Sequence, residues 1–94
     1  MSQKNNQPYE IKFNRKARKG WKKLEENSPE ATEKCRLFLT FSPLDRIASS
    51  GKLKKLKGKS KEALQYAVTD SSRVRYWVDQ ENYIVNVEYA GPHP

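Results

Sequence analysis

The stretch LQYAVTDSSRVRYWVDQENYIVNVEY, residues 64–89, decides the fold of this chain. Its apolar residues recur at every second position, which is the pattern of β-strands that bury one face. The polar segment DQEN, residues 79–82, interrupts the alternation and is typical of a turn. We therefore predict three consecutive strands, LQYAV, RVRYWV and YIVNVEY, joined by short turns into an antiparallel meander.

The alternation also assigns the faces of the predicted sheet. Arg73 and Arg75 project from one open face, where two like charges repel each other unless an anion lies between them. An ion pair with Glu88 on the next strand would also relieve this repulsion, and spacing alone does not separate the two possibilities. The apolar series of the first two strands face the helices. The residues that share one side of their strand are Leu64, Tyr66 and Val68; Val74, Tyr76 and Val78; and Tyr83, Val85, Val87 and Tyr89.

Upstream of the meander, one more strand precedes a helix. YEIKF, residues 9–13, alternates like a strand, and Asn14 can cap the helix that follows. Gly20 weakens this helix by roughly 1 kcal/mol relative to alanine, so its packing must compensate. The apolar stripe of the helix consists of Ala17, Trp21 and Leu24.

A second helix is predicted from Pro29, because Ser28–Pro29 combines a capping residue with a proline in the first turn. Only a short break separates the two helices, so we expect an antiparallel hairpin that ends before Pro43. Residues 42–51 then form a loop, and KLKKLKG, residues 52–58, a short strand. The apolar stripe of the second helix is Ala31, Cys35, Phe38 and Leu39.

This order of elements predicts an α+β fold. It consists of an N-terminal strand, an antiparallel helix hairpin and an antiparallel three- to four-stranded meander, with the hairpin covering one sheet face. Residues 1–8 are polar and predict a flexible tail, and residues 9–94 predict a single domain.

The composition favours an acidic partner. The 94 residues carry a net charge of +8, with a pI near 9.7, which suits nucleic acid, an anionic membrane surface or an acidic protein. The single Cys35 excludes an internal disulfide, fits a reducing cytosol and, beside Phe38, is expected to be a structural thiol. No apolar run reaches transmembrane length and no signal peptide is visible, so we expect a cytoplasmic protein with no membrane partner.

The segment GKLKKLKGKSK, residues 51–61, gathers six lysines around two leucines. Leu53 and Leu56 can anchor it to the core, while the lysines hold nucleic acid by counterion release. A plain solvated lysine face is the alternative. The predicted nucleic-acid contacts are Lys52, Lys54, Lys55 and Lys59, with Trp77 on the open face of the meander.

Taken in order and spacing, these pieces resemble the RelE/ParE superfamily of bacterial toxins from toxin–antitoxin pairs. The resemblance runs from about Tyr9 to His93 and is carried by YEIKF, KLKKLKG, LQYAV, SSRVRYWV and YIVNVEYAGPHP. It implies a compact α+β toxin domain that a cognate antitoxin neutralises. In the RelE-like branch it also implies cleavage of messenger RNA in the ribosomal decoding site.

The resemblance implies site residues as well. The LKG element supplies a basic residue, here Lys57, the strand arginine falls on Arg73, and the C-terminal catalytic position falls near His93, with Tyr89 as a weaker candidate. Metal-free cleavage needs a proton-transferring group and cations that hold the phosphate while the RNA 2′-hydroxyl attacks it. His93 suits proton transfer near neutral pH, and Arg73 and Arg75 could clamp the phosphate, with Lys57 adding charge. No metal or other cofactor is predicted.

One departure and two alternatives accompany this interpretation. Gln65 and Ala67 stand where RelE-type nucleases carry lysines, so the RelE mechanism does not transfer in detail; branches with a histidine after the last strand, YafQ-like and YoeB-like, suit GPHP better.

A ParE-like inhibitor that binds DNA gyrase would share the fold and need no acid–base group, and a basic nucleic-acid-binding domain is a further possibility. His93 and the paired arginines favour a ribosome-dependent endonuclease. Its expected partners are an acidic antitoxin and messenger RNA on the translating ribosome, with contacts to ribosomal RNA.

Overall fold

The computed structural model describes residues 7–56 and 63–93 of the chain. Within these ranges the elements follow the predicted order of strand, helix, helix and a run of strands. The elements are β1 (Glu10–Phe13), α1 (Arg15–Asn27), α2 (Pro29–Phe41), β2 (Leu53–Lys55), β3 (Leu64–Thr69), β4 (Ser72–Asp79) and β5 (Ile84–Pro92). The predicted α+β fold is confirmed.

The described strands form one five-stranded sheet in the order β1-β5-β4-β3-β2. β2, β3, β4 and β5 are antiparallel neighbours, so the meander reaches the upper end of the predicted range. β1 pairs in parallel with β5 and therefore closes the opposite edge of the sheet from β2. Of the predicted strand 52–58, β2 covers residues 53–55, and backbone hydrogen bonds join Lys52 to Ala67 and Leu56 to Ala63 on either side of it. Residues 57–62 lie outside the described ranges.

Local signals set the starts of both helices. The side-chain oxygen of Asn14 accepts a hydrogen bond from the N–H of Ala17 at 2.8 Å, which makes Asn14 the predicted N-cap. Ser28 precedes α2 without a capping hydrogen bond from its side chain, so Pro29 rather than the serine hydroxyl marks this start. Neither helix of the described chain is long and apolar enough to cross a membrane.

The helix hairpin packs on one face of the sheet. Tyr76 of β4 is fully buried, and its hydroxyl donates to the carbonyl of Pro43 at 2.6 Å, which satisfies the buried polar group. The rings of Phe38 and Tyr66 stack with centroids 4.9 Å apart and so join α2 to β3. The rest of the buried core includes Ala17, Trp21, Leu24, Cys35, Leu39, Val68, Val74, Val85, Val87 and Ala90.

A bulge in β5 overturns one part of the predicted alternation. Arg75 lies opposite Tyr89, but the next residue of β4, Tyr76, lies opposite Val87, so β5 holds one extra residue at Glu88. An extra residue reverses the faces of everything that follows it. Tyr89 therefore leaves the side it was predicted to share with Val87 and joins Arg75 on the open face.

Gly20 is required by the close approach of α1 to β5. A Cβ atom at this position would lie 1.7 Å from the carbonyl oxygen of Ala90, which no real contact allows. The helix-weakening glycine is thus explained by packing, because any side chain would force the helix off the sheet.

We predict that Gly20→Ala destabilises the fold, although alanine has the higher helix propensity. The added methyl group overpacks the α1–β5 contact, which should lower the free energy of unfolding by about 1–3 kcal/mol in urea denaturation. Lys19→Ala, on the exposed side of the same helix, serves as the control and should change it by less than about 0.5 kcal/mol. A gain in stability for Gly20→Ala would contradict the close approach.

Candidate nucleic-acid-binding and catalytic face

The face of the sheet away from the helices carries a row of side chains that crosses four strands. Lys54 of β2 lies opposite Gln65 of β3. Arg75 of β4 lies opposite Gln65 on one side and opposite Tyr89 of β5 on the other. Directly opposed residues have Cβ atoms about 5 Å apart, so the four side chains are consecutive neighbours. We call Lys54, Gln65, Arg75 and Tyr89 the cross-strand row.

Arg75 is the central cation of the cross-strand row. Its Nε donates to the side-chain oxygen of Gln65 at 2.8 Å, and its guanidinium carbon lies 6.0 Å from the centroid of the Tyr89 ring. Gln65 is itself buried, with 7% of its surface exposed, so it gives Arg75 a fixed anchor. The two terminal amino groups of Arg75 make no hydrogen bond to residues 7–56 or 63–93, which leaves the planar fork for an anion.

The alternative ion pair of these arginines with Glu88 is not formed. In the described part of the chain, the one ion pair joins Arg36 to Glu33 at 2.6 Å on the exposed side of α2. Glu88 lies at the bulge, where its carbonyl accepts a hydrogen bond from the side chain of Asn14 at 3.2 Å. Arg75 is therefore held by a neutral amide, without a carboxylate partner among the described residues.

Arg73 lies on the same face of β4, but its guanidinium binds the backbone. Its Nη1 donates to the carbonyls of Thr69 at 2.7 Å, Asp70 at 3.2 Å and Ser72 at 2.9 Å. These three carbonyls belong to the turn between β3 and β4. The two arginines, which look equivalent in sequence, thus differ: Arg73 binds the carbonyls of a turn, whereas Arg75 binds the side chain of Gln65.

The C-terminal histidine is anchored through its backbone. The N–H of His93 donates to the carbonyl of Ser71 at 2.8 Å, and the hydroxyl of Tyr89 donates to the carbonyl of Pro92. The ladder therefore extends to the residue after β5, while His93 remains exposed. Tyr89 contacts Arg75 through its ring and the tail through its hydroxyl, so it connects the cross-strand row to the tail.

The lysines predicted to bind nucleic acid do not share one location. Lys54 lies in the cross-strand row. The ammonium of Lys52 lies 6.0 Å from the ring centroid of Tyr66, on the side that the helices cover, and is thus separated from the row. Lys55 is exposed on the edge strand β2. Lys59, and Lys57 of the predicted catalytic residues, lie outside the described residues.

Trp77 extends the open face in the other direction. It follows Arg75 by two residues on β4 and so points the same way. It lies opposite Asn86 on β5, which in turn lies opposite Lys12 on β1. A half-buried indole between Arg75 and this polar pair is suited to stack an unpaired base.

Sequence reasoning missed two features of this face. Gln65 entered only as a departure from a family pattern. Counting outward from the Thr69–Ser72 pair would place Gln65 opposite Tyr76, and it lies opposite Arg75 because the register shifts between Ala67 and Thr69. Tyr89 was predicted on the wrong side, and nothing in YIVNVEY marks the bulge that moves it. The position of the anchored tail depends on that bulge, so the sequence did not predict it either.

Cys35 is a structural thiol, as predicted. It is fully buried in α2, and burial raises the pKa of the thiol well above its ordinary value; the charge of Lys52 lowers it by less. Because the thiolate is the reactive form, a nucleophilic role for Cys35 has no support in the structure.

We predict that Cys35 resists thiol reagents in the folded chain. At pH 8, modification by an aromatic disulfide reagent should be at least about 100-fold slower than in the urea-unfolded chain, because the folded thiol is both inaccessible and protonated. The absorbance of the released thiol gives both rates, and the unfolded chain is the control. Equal rates would show that α2 opens readily or that the thiol is exposed.

The same fold occurs in solved structures of toxins. A chain of the archaeal RelE–RelB complex from Pyrococcus horikoshii matches with a TM-score of 0.68 at 20% identity, over 89% of this chain and 93% of that one. A chain of the YoeB–YefM toxin–antitoxin complex from Staphylococcus aureus matches with a TM-score of 0.65 at 21% identity, over 92% and 98%. The YoeB/ParE toxin from Agrobacterium tumefaciens matches with a TM-score of 0.65 at 16% identity, over 90% and 99%. No protein-family model and no curated protein matches the chain.

These likenesses establish the fold. The predicted resemblance to the RelE/ParE superfamily is confirmed at the level of the fold, since the matches cover nearly the whole of both chains. Activity has to be argued from the site, because one fold supports several functions.

Proposed function

We propose that this chain is the toxin of a type II toxin–antitoxin pair and that it cleaves messenger RNA on the ribosome. The observation that carries the proposal is the cross-strand row, in which Gln65 orients Arg75 above the Tyr89 ring. An anchored terminal histidine on the same strand pair adds the proton-transferring group. The fold shared with RelE and YoeB structures supports the same class of activity.

The reaction uses the RNA itself as the nucleophile and needs no metal. The 2′-hydroxyl loses its proton, and its oxygen forms a bond to the adjacent phosphorus. The bond between phosphorus and the 5′-oxygen of the next nucleotide breaks, and that oxygen takes up a proton. The products are a 2′,3′-cyclic phosphate and a free 5′-hydroxyl. The enzyme has to move two protons and stabilise the extra negative charge on the phosphorane.

Arg75 is the residue best placed to stabilise that charge. A guanidinium fork binds two phosphate oxygens through parallel N–H bonds, and the hydrogen bond from Nε to Gln65 fixes its direction in advance. Because the partner is neutral, no carboxylate competes with the phosphate. Lys54, next to Gln65 in the row, adds a second positive charge, as would the predicted Lys57.

His93 serves as the general acid or base. Along a strand, its backbone lies about 13 Å beyond Tyr89, at about 3.3 Å per residue. The Tyr89 side chain spans part of this interval, since its ring lies under Arg75 and its hydroxyl reaches Pro92. An RNA strand laid along β5 would therefore meet the guanidinium, the aromatic ring and the imidazole in sequence.

The proposed partner is an acidic antitoxin that covers the basic open face. The net charge of +8 and a row of cations without acidic partners on the described open face favour such a protein. The YoeB–YefM structure is itself a toxin–antitoxin complex. Binding of the antitoxin, like binding of ribosomal RNA, should weaken steeply with salt.

We predict that the intact chain produces codon-phased cuts and that His93→Ala abolishes them. Loss of the acid–base group should slow cleavage by about 10²–10⁴-fold. After induction in bacterial cells, the 5′ ends of a translated message and of an untranslated copy are mapped. Cuts confined to the translated message support the proposal. Intact messages with a loss of DNA supercoiling would instead indicate gyrase inhibition.

We predict that Arg75→Ala slows cleavage by about 10²–10³-fold, because one preorganised donor to the transition state is lost. Arg75→Lys should recover only part of the rate, since an ammonium lacks the planar fork. Single-turnover cleavage on purified ribosomes gives the rates. Arg46→Ala removes the same charge from the exposed loop after α2 and is the matched control. Equal losses for Arg75→Ala and Arg46→Ala would reduce the role of Arg75 to net charge.

A further inference from the structure

One group of hydrogen bonds joins the β3–β4 turn to the end of β5, and the proposed mechanism leaves it unused. Nη1 of Arg73 donates to three of the four consecutive carbonyls of residues 69–72, at distances between 2.7 and 3.2 Å. The fourth carbonyl, of Ser71, accepts the N–H of His93 at 2.8 Å. Arg73 and the histidine tail therefore bind the same turn.

Besides Arg73, the turn is held by the pair of Thr69 with Ser72 that closes it and by contacts of the Thr69 hydroxyl with Ser71. The ladder between β3 and β4 is irregular from Ala67 to Thr69, and the Thr69 hydroxyl accepts the N–H of Ser71 only at 3.2 Å. Carbonyl dipoles that converge on one side of a turn repel each other, and a cation placed among them removes this cost. Arg73 supplies that cation and so stabilises the turn that carries the Ser71 carbonyl.

We propose that Arg73 is a positioning residue for His93: it fixes the 69–72 turn, the turn fixes the tail, and the phosphate is left to Arg75. The inference rests on the proposed function, in which His93 transfers protons. It reverses the role implied by the resemblance, which placed the strand arginine of the family at Arg73. Residue spacing could not reveal the different roles of the two arginines, because both point to the same face of the sheet. Only the hydrogen bonds of Arg73 to the backbone of the turn distinguish them.

A positioning role has a distinct kinetic signature. Arg73→Ala should lower kcat by about 100-fold, the effect of a displacement of about 1 Å at the reacting group. KM for programmed ribosomes should stay within about twofold, since no substrate contact is removed. Arg73→Lys should recover part of kcat, because an ammonium keeps the charge and three donors for the carbonyls. A rise in KM with kcat unchanged would assign Arg73 to substrate binding and overturn the inference.

The link to the tail can be measured without any cleavage. Hydrogen exchange at the backbone amide of His93, followed by NMR on the full chain, should become about tenfold faster or more in Arg73→Ala, because local opening of the tail is easier. Arg46→Ala, which removes the same charge from the exposed loop after α2, should leave it within about twofold. The exchange rate of the Val85 amide in the sheet core reports global unfolding. If Arg73→Ala raises the Val85 rate as well, the measurement at His93 is repeated with Arg73→Lys.

The two measurements separate the possible failures. Unchanged exchange at His93 in the Arg73 variants would overturn the inference whether or not the chain cuts RNA. A wild-type chain that leaves messages intact would overturn the proposed function, while faster exchange in Arg73→Ala would still show that Arg73 holds the tail.

Discussion

The pairing of β4 with β5 is the interaction on which both faces of the sheet depend. It is the longest ladder of the meander, running from Asp79 opposite Ile84 to Ser72 opposite Pro92. On the inner side it brings fully buried residues of both strands under the helix hairpin. On the outer side it brings Arg75 against Tyr89, and beyond its end it leaves the histidine tail at the β3–β4 turn. A change of register would therefore disturb the core and the candidate site together.

The open face keeps its positive charge because its arginines are held by neutral groups. Arg75 binds the amide of Gln65 and lies near the Tyr89 ring, and Arg73 binds backbone carbonyls. A carboxylate would have relieved the repulsion between the two guanidinium groups more effectively, but it would also have occupied them. Neutral partners fix the direction of a cation without cancelling its field, which is what a site for a polyanion requires. The glutamine that departs from the family pattern is consistent with this arrangement, since a lysine there would repel Arg75.

The elements of the fold could be predicted from the sequence because each of them buries one face. Trp21 and Leu24 lie on one stripe of α1, and Tyr76 alternates with arginines on β4, so the period alone gives the element type and its inner side. The same alternation places Arg73 and Arg75 together on the open face. The order of elements, with the capping Asn14 and the proline at the start of α2, then gives the fold class.

The rest of the site could not be predicted, for two physical reasons. The bulge at Glu88 adds one residue without a local sequence signal, and a shift of one residue reverses the face of every side chain after it. The different partners of Arg73 and Arg75 depend on the direction of backbone carbonyls in a turn, which residue spacing does not encode. Periodicity therefore identifies the face that carries the chemistry but not the roles of the residues on it.

The bulge also explains why helix packing and the candidate site are coupled. Because β5 gains a residue at Glu88, Ala90 points toward α1 while Tyr89 points away from it. The small side chain of Ala90 and the absent side chain of Gly20 let the helix backbone come close to the strand at that point. On the other side of the same strand, the turned Tyr89 reaches both Arg75 and the tail. In a regular strand Tyr89 would point at the helix, where the close approach at Gly20 leaves no room for a ring. The close packing of α1 and the contact of the Tyr89 ring with Arg75 therefore require the same bulge.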